Sequence, residues 1–346
     1  MRIVNTLLLI FGILACSQAQ DIHFSHIHAS PLYLNPSMTG LINEGTGRII
    51  LNSKSQWNSV TNGYKTIAAS YDMKLYARKG SLFSGGAQVF ADKAGDLGLS
   101  TVTTALSGSF IRSLDFEDNY LISVGLNVGR VTNRIDYSKM IGFDDEPLIA
   151  LGIEDKISYW DYGVGLSYFA NLSEHSSIYL GGSFWHFNTP NVSFSQNIIT
   201  QDTETTLQRE KLYSKKVVNG GGSFKIAPNV WFQPSFLFMD QGPHQEINTG
   251  TFLQYLRSKT KNKRVSGYLG AWFRWYLEND VRGIDAAVAS VRMDLNNTYM
   301  TLSYDINLST YKRASNGAGG LELSLIHILQ LDNYSRRLSP ICCPKI

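Results

Sequence analysis

The 346-residue chain is poor in several things that stabilise other proteins. Cysteine is nearly absent: Cys16 lies in a leader-like N-terminus, and Cys342 and Cys343 are adjacent, where a mutual bond would be strained. That excludes a disulfide framework. Proline is low, at nine residues, and charged residues make up 17%, well under the roughly 25% of an average soluble domain. That excludes a disordered or linker-rich chain. Lys and Arg (31) barely exceed Asp and Glu (28) and do not cluster, so nothing marks a nucleic-acid footprint. After residue 20 no apolar run approaches the roughly 18–20 residues of a membrane helix. Catalytic patterns are missing as well: there is no G-x-S-x-G and no H-E-x-x-H. His175, His186, His244 and His327 are scattered, and His244 near Asp240 makes a pair without a third member. The only histidine cluster, His23, His26 and His28 beside Asp21, has too few ligands to read as a metal site. The expectation is a non-enzymatic protein without metal or cofactor.

What is present begins with an export signal. Arg2 opens a short basic start, residues 7–15 are apolar, and Ser17-Gln18-Ala19 is a small-x-small cleavage site. Residues 1–20 therefore read as a signal peptide cut near Ala19 or Gln20. Acylation of Cys16 within Ile13-Leu14-Ala15-Cys16 is the rival reading.

The dominant pattern has period two. Tyr120, Ile122, Val124, Leu126 and Val128 alternate with Ser123, Gly125, Asn127 and Gly129; Trp160 to Tyr168 and Ile67 to Leu75 repeat the scheme. A sandwich would put Lys, Glu and Thr on the second face. Here Gly, Ser, Ala and Asn dominate it, which suits a crowded polar lumen, with the oily face turned to lipid. Aromatics near strand ends (Trp57, Tyr64, Tyr76, Tyr120, Trp160, Trp231, Tyr268, Tyr276, Tyr299) suit interfacial girdles. Fourteen strands are expected, beginning at 47–57 and ending at 317–329. An even count of this strand length fits a transmembrane antiparallel β-barrel. With a periplasmic start, the two longest connections, 132–156 and 188–212, both fall outside, and the opposite turns are all short. Strand charges such as Asp72, Lys74, Asp161, Lys225, Arg274, Asp285, Arg292 and Glu322 are expected to face inward and pair, because a charge facing lipid at the midplane costs about 2–4 kcal/mol. Arg130, near a rim, fits either the lumen or the girdle.

The organisation expected is a signal peptide (1–20), an N-terminal lumenal or periplasmic segment (21–46), the barrel (47–329) and a periplasmic tail (330–346). Asn35, Pro36, Thr39 and Gly40 are candidate plug residues, since Asn before Pro favours an extended or turn conformation. Asp92, Lys93, Gly95, Asp96 and Gly98 form a candidate partner-binding loop on the outer side, in which Asp92 and Lys93 could pair and the glycines allow positive φ. Arg336, Arg337, Cys343 and Pro344 are candidates for a tail that docks on periplasmic machinery.

Several motifs occur in order along the whole mature chain: Asp21-x-x-Phe24-Ser25, Pro31-x-x-x-Asn35-Pro36-x-x-Thr39-Gly40, Gln56-Trp57, Ala69-Ser70-Tyr71-Asp72, Asp92-Lys93-Ala94-Gly95-x-x-Gly98-x-Ser100 and a closing Cys343-Pro344-Lys345. Together they resemble the PorP/SprF family of outer-membrane proteins of the type IX secretion system of Bacteroidetes. His26 and Ile346 depart from the usual glutamine and terminal aromatic. The resemblance implies a protein that supports secretion and surface anchoring of type IX cargo, including gliding adhesins with a particular C-terminal signal domain, in contact with periplasmic secretion or motility components and with outer-membrane lipid. A channel or transporter for small hydrophilic or amphipathic solutes is the alternative that the barrel pattern allows.

Overall fold

The computed structural model describes residues 24–25, 29–43, 45–56, 63–95, 98–136, 154–194, 199–200, 203–204, 210–260, 263–278, 281–309 and 318–330. Residues 1–20, Asp21, the three clustered histidines, Trp57, Asp96 and residues 331–346 lie outside them.

Fourteen strands close into one antiparallel barrel. They are β1 (Gly47–Gln56), β2 (Tyr64–Arg78), β3 (Ser81–Ala94), β4 (Leu99–Ser113), β5 (Tyr120–Arg134), β6 (Lys156–Ser173), β7 (Ser176–Trp185), β10 (Lys215–Ala227), β11 (Val230–Gln241), β12 (His244–Thr260), β13 (Lys263–Glu278), β14 (Val281–Leu295), β15 (Thr298–Asn307) and β16 (Ala318–Leu329). Two short strands, β8 (Ile199–Thr200) and β9 (Thr203–Glu204), form a separate hairpin within the connection from β7 to β10. Each barrel strand pairs with its sequence neighbours, and β1 pairs with β16 from Gly47↔Leu329 to Gln56↔Gly320, which closes the ring. Closure leaves no edge, so every rung of the ladder can be satisfied within lipid.

The outward face is oily all the way round. Leu106 and Leu269 are about two-thirds exposed, and Leu51, Val89, Leu126, Leu166, Leu180, Val291, Leu302 and Leu323 continue the belt. In water such a belt would forfeit roughly 1.5–3 kcal/mol per side chain relative to burial; in hydrocarbon it is the favourable arrangement. Tyr64, Tyr76, Tyr120 and Trp160 are exposed near strand ends, as a girdle requires. Arg130 also faces outward, its guanidinium 5.4 Å from the Trp160 ring centroid.

Two girdle assignments are corrected. Tyr268 is buried in the lumen, and Tyr299 stacks on Arg292, which also faces Tyr268. Period two alone cannot separate an inward aromatic from an outward one near a strand end.

Most strands run past the hydrocarbon. β6 has 18 residues and β12 has 17, against the 9–11 that a tilted span needs. β7 instead stops at Trp185, because His186 (φ 56) and Thr189 (φ 39) take left-handed conformations that end the ladder. Bulges sit toward the rims. The one in β14 makes Asp285 the extra residue opposite Arg274/Trp275, and the one in β16 sets Gly319 and Gly320 opposite the single residue Asp305, between the pairs of Tyr304 and Ile306.

The two longest connections, 135–155 and 186–214, open at one end of the barrel; at the other, the turns span two to six residues. Long connections face outward in barrels of this kind, so the start of β1 is at the periplasmic end.

Candidate functional site: the occupied lumen and the outer rim

Ahead of β1 the chain climbs the lumen. Thr46 extends the ladder at the periplasmic end, donating to Leu329 O and accepting from Lys74 N. Going backward, the segment passes a 3-10 turn (Pro36–Met38) and a one-turn helix α1 (Pro31–Leu34), and reaches Phe24 and Ser25 in the outer half.

Asn35 is the hub. Pro36 pushes it into an extended conformation (φ −154°, ψ 112°), and its Oδ1 accepts from Ser37 N at 3.1 Å and Ser37 Oγ at 2.7 Å, capping the turn. Its amide nitrogen reaches Leu166 O (3.3 Å), Gly182 O (3.2 Å), Ser167 Oγ (3.2 Å) and Asn219 Oδ1 (3.4 Å), so two hydrogens are shared among acceptors on β6, β7 and β10. Inward serines then take the segment's own carbonyls: Ser123 donates to Ser37 O, Ser109 to Thr39 O, and Ser183 to Leu34 O, each at 2.6 Å. Thr39 Oγ1 donates to Pro36 O at 2.8 Å and shares a hydrogen bond with Ser107 Oγ at 2.9 Å. Gly40, at φ 67°, donates its N–H to Asp72 Oδ2, and Asp72 is held in turn by Arg48 at 2.8 Å. Glycines make room for this approach. A Cβ on Gly125 would overlap the Pro36 carbonyl, and one on Gly165 would overlap the Asn35 side chain.

Apolar layers bracket this polar belt. Met38 and Leu41 pack on inward Leu82, Ile111, Leu121, Phe169 and Tyr179 toward the periplasmic end. Leu34 meets Trp185, Val217 and Leu237, while Phe24, Ala29 and Tyr33 meet Ala68 and Phe90. The Lys215 ammonium lies 4.3 Å from the Tyr33 ring centroid. Ser25 marks the upper end: its N–H donates to Glu322, its hydroxyl accepts from Lys54, and its carbonyl accepts from Asn248.

The opposite wall fills its side of the lumen with side chains instead. Phe252, Tyr268, Trp272 and Val288 form a buried cluster, with Phe252 and Trp272 edge to face at 4.5 Å. Arg274 pairs with Asp285 at 2.6 Å and Asp305 at 3.2 Å, and Lys54 reaches Asp305 at 3.5 Å. Arg292 is chelated by Asp294, which also accepts from Tyr268 Oη.

The candidate residues fall in different places. Asn35, Pro36, Thr39 and Gly40 come together in the lumen, all buried. Asp92 and Lys93 are corrected from a loop to the ladder of β3, which runs on to Ala94. As neighbours on a strand they point to opposite faces, and the bond that Asp92 makes is to Thr66 Oγ1 at 2.6 Å. Gly95 and Gly98 take φ of 64° and 60° and form the turn itself. Arg336, Arg337, Cys343 and Pro344 lie outside the described residues. Asp240 is engaged by Lys216 and Gln245.

At the outer rim the roots of the two long connections are tied together. Glu154 N donates to Phe194 O, and residues 190–192 pair with 210–212 through Val192 N to Glu210 O, Leu212 N to Pro190 O and an Asn191↔Lys211 bridge. Buried His186 fixes the start of the longer one, its Nδ1 2.7 Å from Asp161 Oδ1. Sequence reasoning missed Arg48, Lys54, Asp305, the donor serines and Asn52, whose amide donates to Ala29 O at 2.6 Å and Ser30 Oγ at 3.1 Å; the signal available was the excess of small polar residues on the inward positions.

In backbone the chain is similar to a FadL homologue of Pseudomonas aeruginosa (9% identity, TM-score 0.49, covering 86% of this chain and 94% of that one) and to the CymD monoaromatic hydrocarbon channel (10% identity, TM-score 0.45, covering 88% and 94%). No curated protein matches. A family model described as type IX secretion system membrane protein PorP/SprF matches residues 16–325. The chain therefore belongs to the PorP/SprF family and is a secretion-associated barrel of the outer membrane.

Proposed function

We propose that this barrel is a non-enzymatic docking protein, which binds a secreted surface protein or adhesin through its C-terminal signal domain and anchors it or helps it leave the cell. The observation that carries the reading is the seated N-terminal segment. Its bonds go to strand carbonyls and buried serines, so the lumen is already occupied, and the outer connections are the surface left for a partner. The tied roots of 135–155 and 186–214 give that surface a stable base. Type IX components on the periplasmic side complete the proposed assembly. A solute channel is the second reading, and the filled lumen weighs against it.

The test is to delete the gene and label the cell surface. Loss of one or more type IX cargo proteins from the surface, or their release into the medium, is the expected result; an unchanged surface proteome removes the docking reading. Purified barrel in planar bilayers is expected to show no steady conductance, and stable ion currents would favour the channel.

A further inference from the structure

On the periplasmic end, most described connections are two-residue turns: 79–80, 174–175, 228–229 and 296–297. The connection between β4 and β5, residues 114–119, is different in length and construction. Its ladder ends with Leu114 N donating to Tyr120 O at 2.8 Å. Beyond that rung Asp115 braces the turn, its carboxylate accepting from Asn119 N at 3.2 Å and Tyr120 N at 3.1 Å, while Ser113 Oγ donates to its carbonyl at 2.8 Å. Glu117 accepts from Asn119 Nδ2 at 3.0 Å, and Asp118 takes the left-handed conformation that Asp tolerates (φ 57°). Desolvation at Asp115 is outweighed by the hydrogen bonds from Tyr120, Asn119 and Ser113 taken together, which hold its carboxyl below the usual carboxylate range. This self-satisfied turn presents Phe116 fully exposed at its tip, with Leu114 more than half exposed beside it.

An ordered turn that projects a bare phenylalanine is unusual, because flexible polar residues would close the same gap without exposing apolar area. The girdle position on this hairpin belongs to Tyr120, and Phe116 lies two residues beyond the last rung, on the periplasmic side of it. Glu117 and Asp118 flank it, and carboxylates are repelled by the phosphates of anionic headgroups.

We propose that the 114–119 turn is a docking knob for a periplasmic protein that offers an apolar pocket rimmed by Lys or Arg. Phe116 is the anchor, in the way aromatic side chains anchor small interfaces; Glu117 and Asp118 supply orientation and rate of encounter. The inference rests on the outward placement of the long connections and stands apart from cargo binding on the opposite end.

The test places the photocrosslinker p-benzoylphenylalanine at position 116 of the full-length protein in intact cells, with the same probe at His175 in a neighbouring turn as control. The expected result is a covalent protein adduct at 116 and none at 175, with the crosslinked peptide mapping beside Lys or Arg residues. The charge-removing, near-isosteric pair Glu117→Gln and Asp118→Asn should lower adduct yield by about threefold to tenfold. Barrel assembly is checked by heat-dependent mobility on gels, which Phe116→Ser should leave unchanged. Irradiation that gives only lipid adducts or none in an assembled barrel, or an adduct insensitive to the charge removal, overturns the proposal.

Discussion

The two sides of the lumen solve one packing problem differently. Along β4–β7 the wall carries Gly and Ser, and the space is filled by backbone from the N-terminal segment. Along β12–β15 the wall carries Phe, Tyr, Trp and Arg, and fills the space itself. A wall of small residues is permissive: it accepts a separate piece of chain, whose carbonyls must then be satisfied by side-chain hydroxyls. A wall of large residues is self-contained but places buried charges, each of which needs its partner. The first side is therefore expected to respond to mutation by loosening the segment, and the second by weakening the barrel.

The largest expected effect is on the self-filled side. Arg274→Ala leaves Asp305 with Lys54 alone and takes from Asp285 its buried partner, and should cost about 3 kcal/mol, the lower end for a broken buried pair because Asp285 is 32% exposed, read as a lower denaturant midpoint in detergent or liposomes. An unchanged midpoint would remove the asymmetry. Gly125→Val comes next. Overpacking against Pro36 should cost about 1–3 kcal/mol; because the segment can withdraw, the barrel should still assemble while bilayer recordings gain conductance. Asn35→Ala removes the hub amide and the turn cap together, about 1–3 kcal/mol, and protease access to residues 29–43 should rise without loss of the barrel band. Cysteines at Ser37 and Ser167, whose hydroxyl oxygens are 2.6 Å apart, should form a lock on oxidation. Surface retention of cargo is expected to be the same locked or reduced; collapse on locking would mean that the segment moves during docking. The smallest effect is at Asp115. Its depressed pKa means that the turn brace is present above the ordinary carboxylate range and is lost as pH falls through the lowered value. Exchange protection of the Asn119 and Tyr120 amides, taken relative to intrinsic rates, should fall in that acid window and be weak at all pH values in Asp115→Asn.

Much of the fold was legible. All fourteen expected barrel strands are present, because a lipid-facing strand must be apolar at alternate positions whatever its neighbours are. Their ends were less so, since beyond the hydrocarbon the ladder continues with no hydropathy constraint, as in β3, where Asp92 and Lys93 remain paired. The inward apolar residues were not legible. Leu82, Ile111, Leu121 and Phe169 look like exceptions to the alternation until Met38 and Leu41 are placed on them.

The linear pattern by itself determined an antiparallel barrel of this strand number and the end from which its long connections emerge, because solvation by lipid acts on each strand separately. Tertiary structure decided what fills it. The contacts of Asn35 with Ser167 and Asn219, of Ser25 with Glu322, and of Asp285 and Asp305 with Arg274 join residues far apart in the chain or depend on a one-residue bulge. Local periodicity carries no term for either; only closure of the ring brings those groups within hydrogen-bonding distance.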